Sequence, residues 1–198
     1  MRDDIETQII GLSDRQKAVF AGLVCERLYP QYQAFCEAES WGSPVVYERG
    51  VELLYNSGLG EFHKQEAASL LEKLELVTPA LNASKSPLTS YAVDACIALN
   101  EALQFLTDKL ESHLHNCATA AMDSVDMFVQ DYQNLSPSRR GLEAVVAADP
   151  FMQAEKARQH RLLEALLTLH DFDATSIHQL RRLNGSGGII DVDLLPRS

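Results

Sequence analysis

Apolar residues recur along most of this chain at intervals of three and four, the spacing of one helix face, and the alternation of a half-buried strand is nearly absent. Ser13 and Gln16 have capping-box spacing and open a helix whose face carries Phe20, Leu23, Val24 and Leu28. Tyr29-Pro30 interrupts that pattern, so the helix either kinks there or gives way to a second one starting at Pro30. Ser43-Pro44 starts the next helix, with Tyr47, Val51, Leu54 and Tyr55 on its face and an end at Asn56-Ser57-Gly58. A fourth runs from about Glu61 to Val77 before Thr78-Pro79, and Leu81–Ser90 reads as a loop. A long helix from Ser90 to about Asn116 follows, then helices over about Ala118–Tyr132, Arg139–Ala147, Asp149-Pro150 to His170, and Asp173 to Asn184-Gly185. The expected fold is therefore all-α: one domain over residues 1–198, a multi-helix bundle of about seven to eight helices with a long central helix. Residues 185–198 form a Gly-rich linker and an apolar tail, expected to dock as an extended arm on the core or on a second subunit. The glycine run follows a helix instead of opening one and lacks Lys-Ser/Thr, so it reads as a C-cap and linker and not as a phosphate loop.

Polar residues that break these faces are the informative ones. On a wheel at about 100° per residue, Arg27 falls in the middle of the arc set by Phe20, Leu23, Val24 and Leu28. An arginine cannot shed its charge on burial, so it needs a carboxylate. The helix from Pro150 has an apolar face of Phe151, Met152, Leu162, Leu163 and Leu166, with Glu155 and Gln159 at its centre, one turn apart. Tyr91–Leu99 is apolar nearly all round, which marks an encircled helix, and Asp94 is its only charge. Asp94 points away from the strongest stripe and is either solvent-facing or buried against a second layer. Arg27, Asp94, Glu155 and Gln159, with Tyr29 or Tyr32 at the rim, thus form either a polar pocket in the bundle or an ion-pair network that fixes packing.

Charge narrows the partners. The chain of 198 residues carries −11, and residues 1–136 hold all of it, with 9 Lys+Arg against 20 Asp+Glu, while residues 137–198 balance at 8 and 8. Such a surface disfavours nucleic acid and anionic membrane and attracts basic proteins. No run approaches the roughly 18 apolar residues of a spanning helix. Nor do the first residues carry the apolar stretch of a signal peptide, so the expected compartment is the cytoplasm. Cys25, Cys36, Cys96 and Cys117 are expected to be reduced thiols. Their spacing matches no zinc motif, and His113/Cys117 or His160/Glu164 at i, i+4 supply only two ligands each. No Glu-x-x-His occurs, and Asp123 and Asp126 read as a solvated face. No metal or other cofactor is expected. Gly-x-Ser-x-Gly and Walker loops are missing, which speaks against an enzyme without deciding the matter.

Three segments resemble a known family. They are Cys25-Glu-Arg-Leu-Tyr-Pro-x-Tyr32-x-x-Phe35-Cys36, then Ala92-Val-Asp-Ala-Cys-Ile-Ala-Leu99, and Pro150-x4-Glu155-x3-Gln159 with the apolar run after it. Together they are similar to the YjaG-like bacterial proteins, domain of unknown function family 416. The likeness runs from Gln16 and Phe20 through Tyr47 to Ile189. It implies a small cytosolic all-α protein of proteobacterial type and brings no activity and no catalytic residue. Arg27, Asp94, Glu155 and Gln159 each fall inside a family-like segment. The leading functional expectation is an interaction or regulatory protein, homo-oligomeric or bound to another protein, which requires an exposed apolar patch. The alternative is a carboxylate- or phosphate-binding protein or enzyme built on the Arg27 cluster. A thiol or metal site is the third.

Overall fold

The computed structural model describes residues 2–60, 62–81, 86–169 and 172–195. Nine α-helices are found among them: α1 (Arg2–Ile10), α2 (Asp14–Glu39), α3 (Pro44–Leu59), α4 (Lys64–Val77), α5 (Leu88–Asp108), α6 (Glu111–Tyr132), α7 (Leu142–Ala148), α8 (Pro150–Thr168) and α9 (Ala174–Asn184). A single 3₁₀ turn, Val192–Leu194, ends the described chain. The all-α bundle expected from periodicity is what forms. The expected helix start at Glu61 and end at His170 lie outside the described residues.

The caps are those the sequence encodes. The Ser13 hydroxyl and the Gln16 side chain form the reciprocal capping box that starts α2. Asp149 accepts from the Phe151 N–H to start α8, and Asp173 accepts from the Ser176 N–H to start α9. Several boundaries differ from expectation: α3 runs to Leu59, past Asn56-Ser57-Gly58, α5 starts at Leu88 and α7 starts at Leu142, and three further points bear on the architecture. The first is α1, which brings the count to nine because Ile5 and Ile9, one turn apart, bury a narrow stripe against α6 and α8. The second is Pro30, where of the two alternatives a single helix runs on: it lies inside a continuous α2 and no second helix starts there. The third is the break after α5. It falls at Lys109 and Leu110, not near Asn116, so the last turns of the expected long helix belong to α6. Lys109 adopts a left-handed backbone (φ 63°) that ends α5, and the Asp108 carboxylate accepts from the Leu110 N–H at 2.9 Å. Leu110, at this break, is exposed.

At the centre, α5 packs against α2, α3, α4 and α6, as its all-round apolar sequence requires. Gly50 lets α3 approach it, since a Cβ there would sit 2.9 Å from Leu99 side-chain atoms. The Tyr47 hydroxyl lies 3.0 Å from the Cys25 carbonyl and 3.2 Å from that of Ala95, tying α3 to both long helices. Ile189, Ile190 and Leu195 of the tail are buried, so this segment docks on its own core. Its anchor is the Ile189 N–H, which donates to the Arg27 carbonyl at 3.0 Å. Proline removes a donor from the next turn of a helix and loosens the carbonyls before it. Pro30 lacks the N–H that would bond the Glu26 carbonyl four residues earlier, and in the same turn the adjoining Arg27 carbonyl accepts the tail from outside α2.

Candidate functional site

Arg27 projects from the middle of α2 towards α8 and the tail. Its guanidinium Nη1 forms a buried ion pair with Glu155, and its Nη2 donates to the Gly188 carbonyl at 3.2 Å. Gln159, one turn beyond Glu155, donates to the other Glu155 oxygen at 3.0 Å and lies 3.1 Å from the Ala118 carbonyl of α6. Arg27, Glu155 and Gln159 are each at least 95% shielded from solvent. The wheel argument thus identifies a true cluster, joining α2, α6, α8 and the tail. Its charges are balanced one to one, as burial demands. The balance of hydrogen bonds is incomplete, because Arg27 Nε and Gln159 Oε1 have no partner among the described residues.

Asp94 does not belong to this cluster. It is half-buried between α5 and α6, where its carboxylate accepts from Ser124 at 3.0 Å. Ser124 in turn accepts from Gln31 at 3.0 Å, and Gln31 also donates to the Tyr91 carbonyl at 2.6 Å. The second layer allowed for in the sequence is therefore α6. Burial pushes the Asp94 carboxyl up to about 6, against a lowering contribution from Ser124, with Asp123 adding to the rise. The two tyrosines also separate. Tyr29 stands at the edge of a groove containing Arg27 and donates to Glu48. Tyr32 is fully buried away from it, where its hydroxyl donates to the Val77 carbonyl and accepts from the Ser43 N–H, both at 3.1 Å.

Two openings border Arg27 and the strap formed by residues 185–192. The first, of about 700 Å³, is lined by Glu26, Arg27, Tyr29, Pro30, His178, Arg181, Arg182 and Gly185–Gly187. The second, of about 450 Å³, lies between Arg27, Pro30, Phe151, Arg158 and the strap. Periodicity could not reveal His178, Arg158, Arg181 and Arg182, since a basic residue on the polar side of a helix looks ordinary until the tail folds over it. Lys17 is a second buried cation missed in the sequence, paired with Glu111 across α2 and α6.

The remaining candidates disperse. His113 pairs with Glu101 and Asp108, whereas Cys117 packs its sulfur 3.9 Å from Cys25, so these two i, i+4 residues serve different neighbours. Burial lowers the His113 pKa, but its two carboxylate partners outweigh that and raise it overall. Burial, reinforced by Cys117, pushes the Cys25 thiol well above its ordinary value, and burial raises Cys96 to about 12. Both thiols are held neutral and unreactive by burial. No group of three or more His, Cys, Asp or Glu residues able to hold a metal occurs among the described residues. Likewise, no described helix is long and apolar enough to cross a membrane.

The sequence profile of the family described as "Protein of unknown function (DUF416)" matches residues 4–192. A protein called "Uncharacterized protein YjaG" from Salmonella typhimurium is 24% identical over 182 residues, covering 91% of each chain. Its Escherichia coli K12 namesake is 30% identical over 101 residues, 51% of this chain and 52% of that one. The crystal structure of a DUF416 family protein from Shewanella baltica superposes with a TM-score of 0.80 at 26% identity, over 90% of this chain and 92% of the other.

Proposed function

This chain belongs to the DUF416 family of proteins of unknown function, and from that premise we propose that it is an interaction or regulatory protein that docks a basic, apolar-faced protein partner at one end of its bundle. The observation that carries this reading is a set of large apolar side chains left in water there. Leu76 is 77% exposed, Leu81 66%, Val45 61% and Trp41 44%. The two hydrogen bonds of the Tyr32 hydroxyl hold the α2–α3 turn beside the end of α4, which gathers these residues at the same end of the fold. Leaving such surface solvated forgoes roughly 25 cal/mol per Å² that a partner would recover.

Exposed Glu37, Glu39, Glu72 and Glu75 surround this end. Two copies meeting through it would bring like charges together, so a basic partner is favoured over a homo-oligomer. The test is a photo-crosslinking residue at position 76 in living cells, compared with one at exposed Lys64. The expected result is an adduct specific to position 76, mapping to a basic and apolar segment of another protein and lost in Leu81→Glu. No adduct above the Lys64 control, or adducts to a second copy of this chain alone, would overturn the reading.

A further inference from the structure

We propose that the groove beside Arg27, between α2, α9 and the Gly185–Gly187 backbone, binds the phosphate group of a small molecule. The groove is the larger of the two openings bordering Arg27, at about 700 Å³, and four of its lining side chains are basic: Arg27, His178, Arg181 and Arg182. Within an acidic chain this concentration is local. Glu26 is the one carboxylate lining the groove, and it is already held by the Arg181 Nε at 2.8 Å and by the Tyr55 hydroxyl at 2.7 Å. The side chains of Arg182 and His178 are exposed and make no ion pair or hydrogen bond among the described residues. Arg27, buried behind them, keeps its Nε–H without an acceptor among those residues.

The backbone adds donors to these cations. The Gly185 N–H caps α9 on the carbonyls of Arg181 and Arg182, and the Ile189 N–H is used on Arg27. The three amides between them, of Ser186, Gly187 and Gly188, have no acceptor in the described chain. Nothing lies within 4 Å of where a Cβ would stand on Gly187, so a ligand can approach the backbone closely. Consecutive free amides beside guanidinium groups match the demands of a tetrahedral oxyanion, which offers several acceptors and a charge that arginine recognises with two parallel bonds. The carbonyl end of α9 would repel an anion, but the Gly185 cap and the two arginines of the last turn offset it. The site lies about 20 Å along α2 from the Trp41 end, so it does not depend on the docking surface.

Inorganic phosphate is the probe. It is titrated into ¹⁵N-labelled full-length protein at constant ionic strength, balanced with chloride. Saturable shifts are expected in the Ser186 and Gly187 amides and not in Gly141, an exposed glycine that does not line the groove. Arg182→Ala should weaken binding about tenfold, the loss of one charge-assisted hydrogen bond, with Arg182→Lys in between. Because the Arg182 side chain has no partner among the described residues, its replacement shifts the melting temperature by at most a few degrees, the size of a helix-end charge effect, which separates a binding defect from a folding defect. Absence of saturation, equal shifts at Gly141, or unaltered affinity in Arg182→Ala would each overturn the proposal, and none of them bears on crosslinking at position 76.

Discussion

At the scale of single residues, the buried ion pair is the most consequential feature. Arg27 and Glu155 are each almost wholly removed from water, so each depends on the other for its charge. Removing one partner strands a charge in the core, which costs about 3–5 kcal/mol, whereas replacing both with apolar side chains of similar volume is often neutral. Arg27→Met should accordingly lower the urea midpoint sharply, and Arg27→Met with Glu155→Leu should recover most of the loss. A double variant as unstable as the sum of the single ones would show that the pair is not coupled. Asp94 offers a pH test. Its carboxyl, raised by burial to about 6 from 3.8, favours the fold when protonated. That stabilisation is complete below the unfolded value near 4 and is lost as pH rises through about 6. Asp94→Asn keeps an acceptor for Ser124 and removes the charge, so it should stabilise the protein above pH 6 by about 1–3 kcal/mol and lose its advantage near pH 4. Denaturation curves at several pH values read this directly. Both residues were legible in the sequence as polar breaks in apolar helices. Their separation into two clusters was not, because a wheel gives the direction of a side chain and not the identity of the helix it meets.

At the scale of elements, Pro30 links sequence to architecture. A proline inside α2 reads as a kink or a break, yet the neighbours of α2 on several sides hold the helix continuous, and the helical bond lost at Pro30, that of the Glu26 carbonyl, lies next to the carbonyl of Arg27. The tail uses that carbonyl, and it buries Ile189, Ile190 and Leu195. Ile190→Asp should therefore detach the tail, exposing the Ile189 amide to rapid hydrogen exchange while the amides of α5 stay protected. The global loss should be about 1.5–3 kcal/mol, the value of one buried isoleucine. Equal deprotection of α5 would mean that the tail is not a separate unit. The α5–α6 break was illegible for a different reason. Lys109 takes its left-handed backbone without glycine or proline to announce it, and the Asp108 side chain that supports the turn is an ordinary residue on a solvated face.

At the scale of the whole molecule, the charge asymmetry visible in the sequence becomes a spatial one. Residues 1–136 carry the entire net charge of −11, and α1 to α5 lie within that acidic stretch. Basic residues of the balanced C-terminal third, Arg158, Arg181 and Arg182, line the two openings that border Arg27. Like charges distributed over a surface repel, and the repulsion acts across distances that salt screens at about 10 Å in 0.1 M solution. The exposed ion pairs, such as Lys109 with Asp14, are each worth little and are screened as well. The buried Arg27–Glu155 and half-buried Lys17–Glu111 pairs respond weakly to salt because solvent ions reach them poorly. Repulsion should therefore dominate, and raising sodium chloride from low to physiological concentration should increase the melting temperature by a few degrees. Replacing Glu37, Glu39, Glu72 and Glu75 with glutamine should flatten this dependence, since it removes a third or more of the net charge. A melting temperature that falls as salt rises would instead assign the fold's electrostatics to its surface ion pairs.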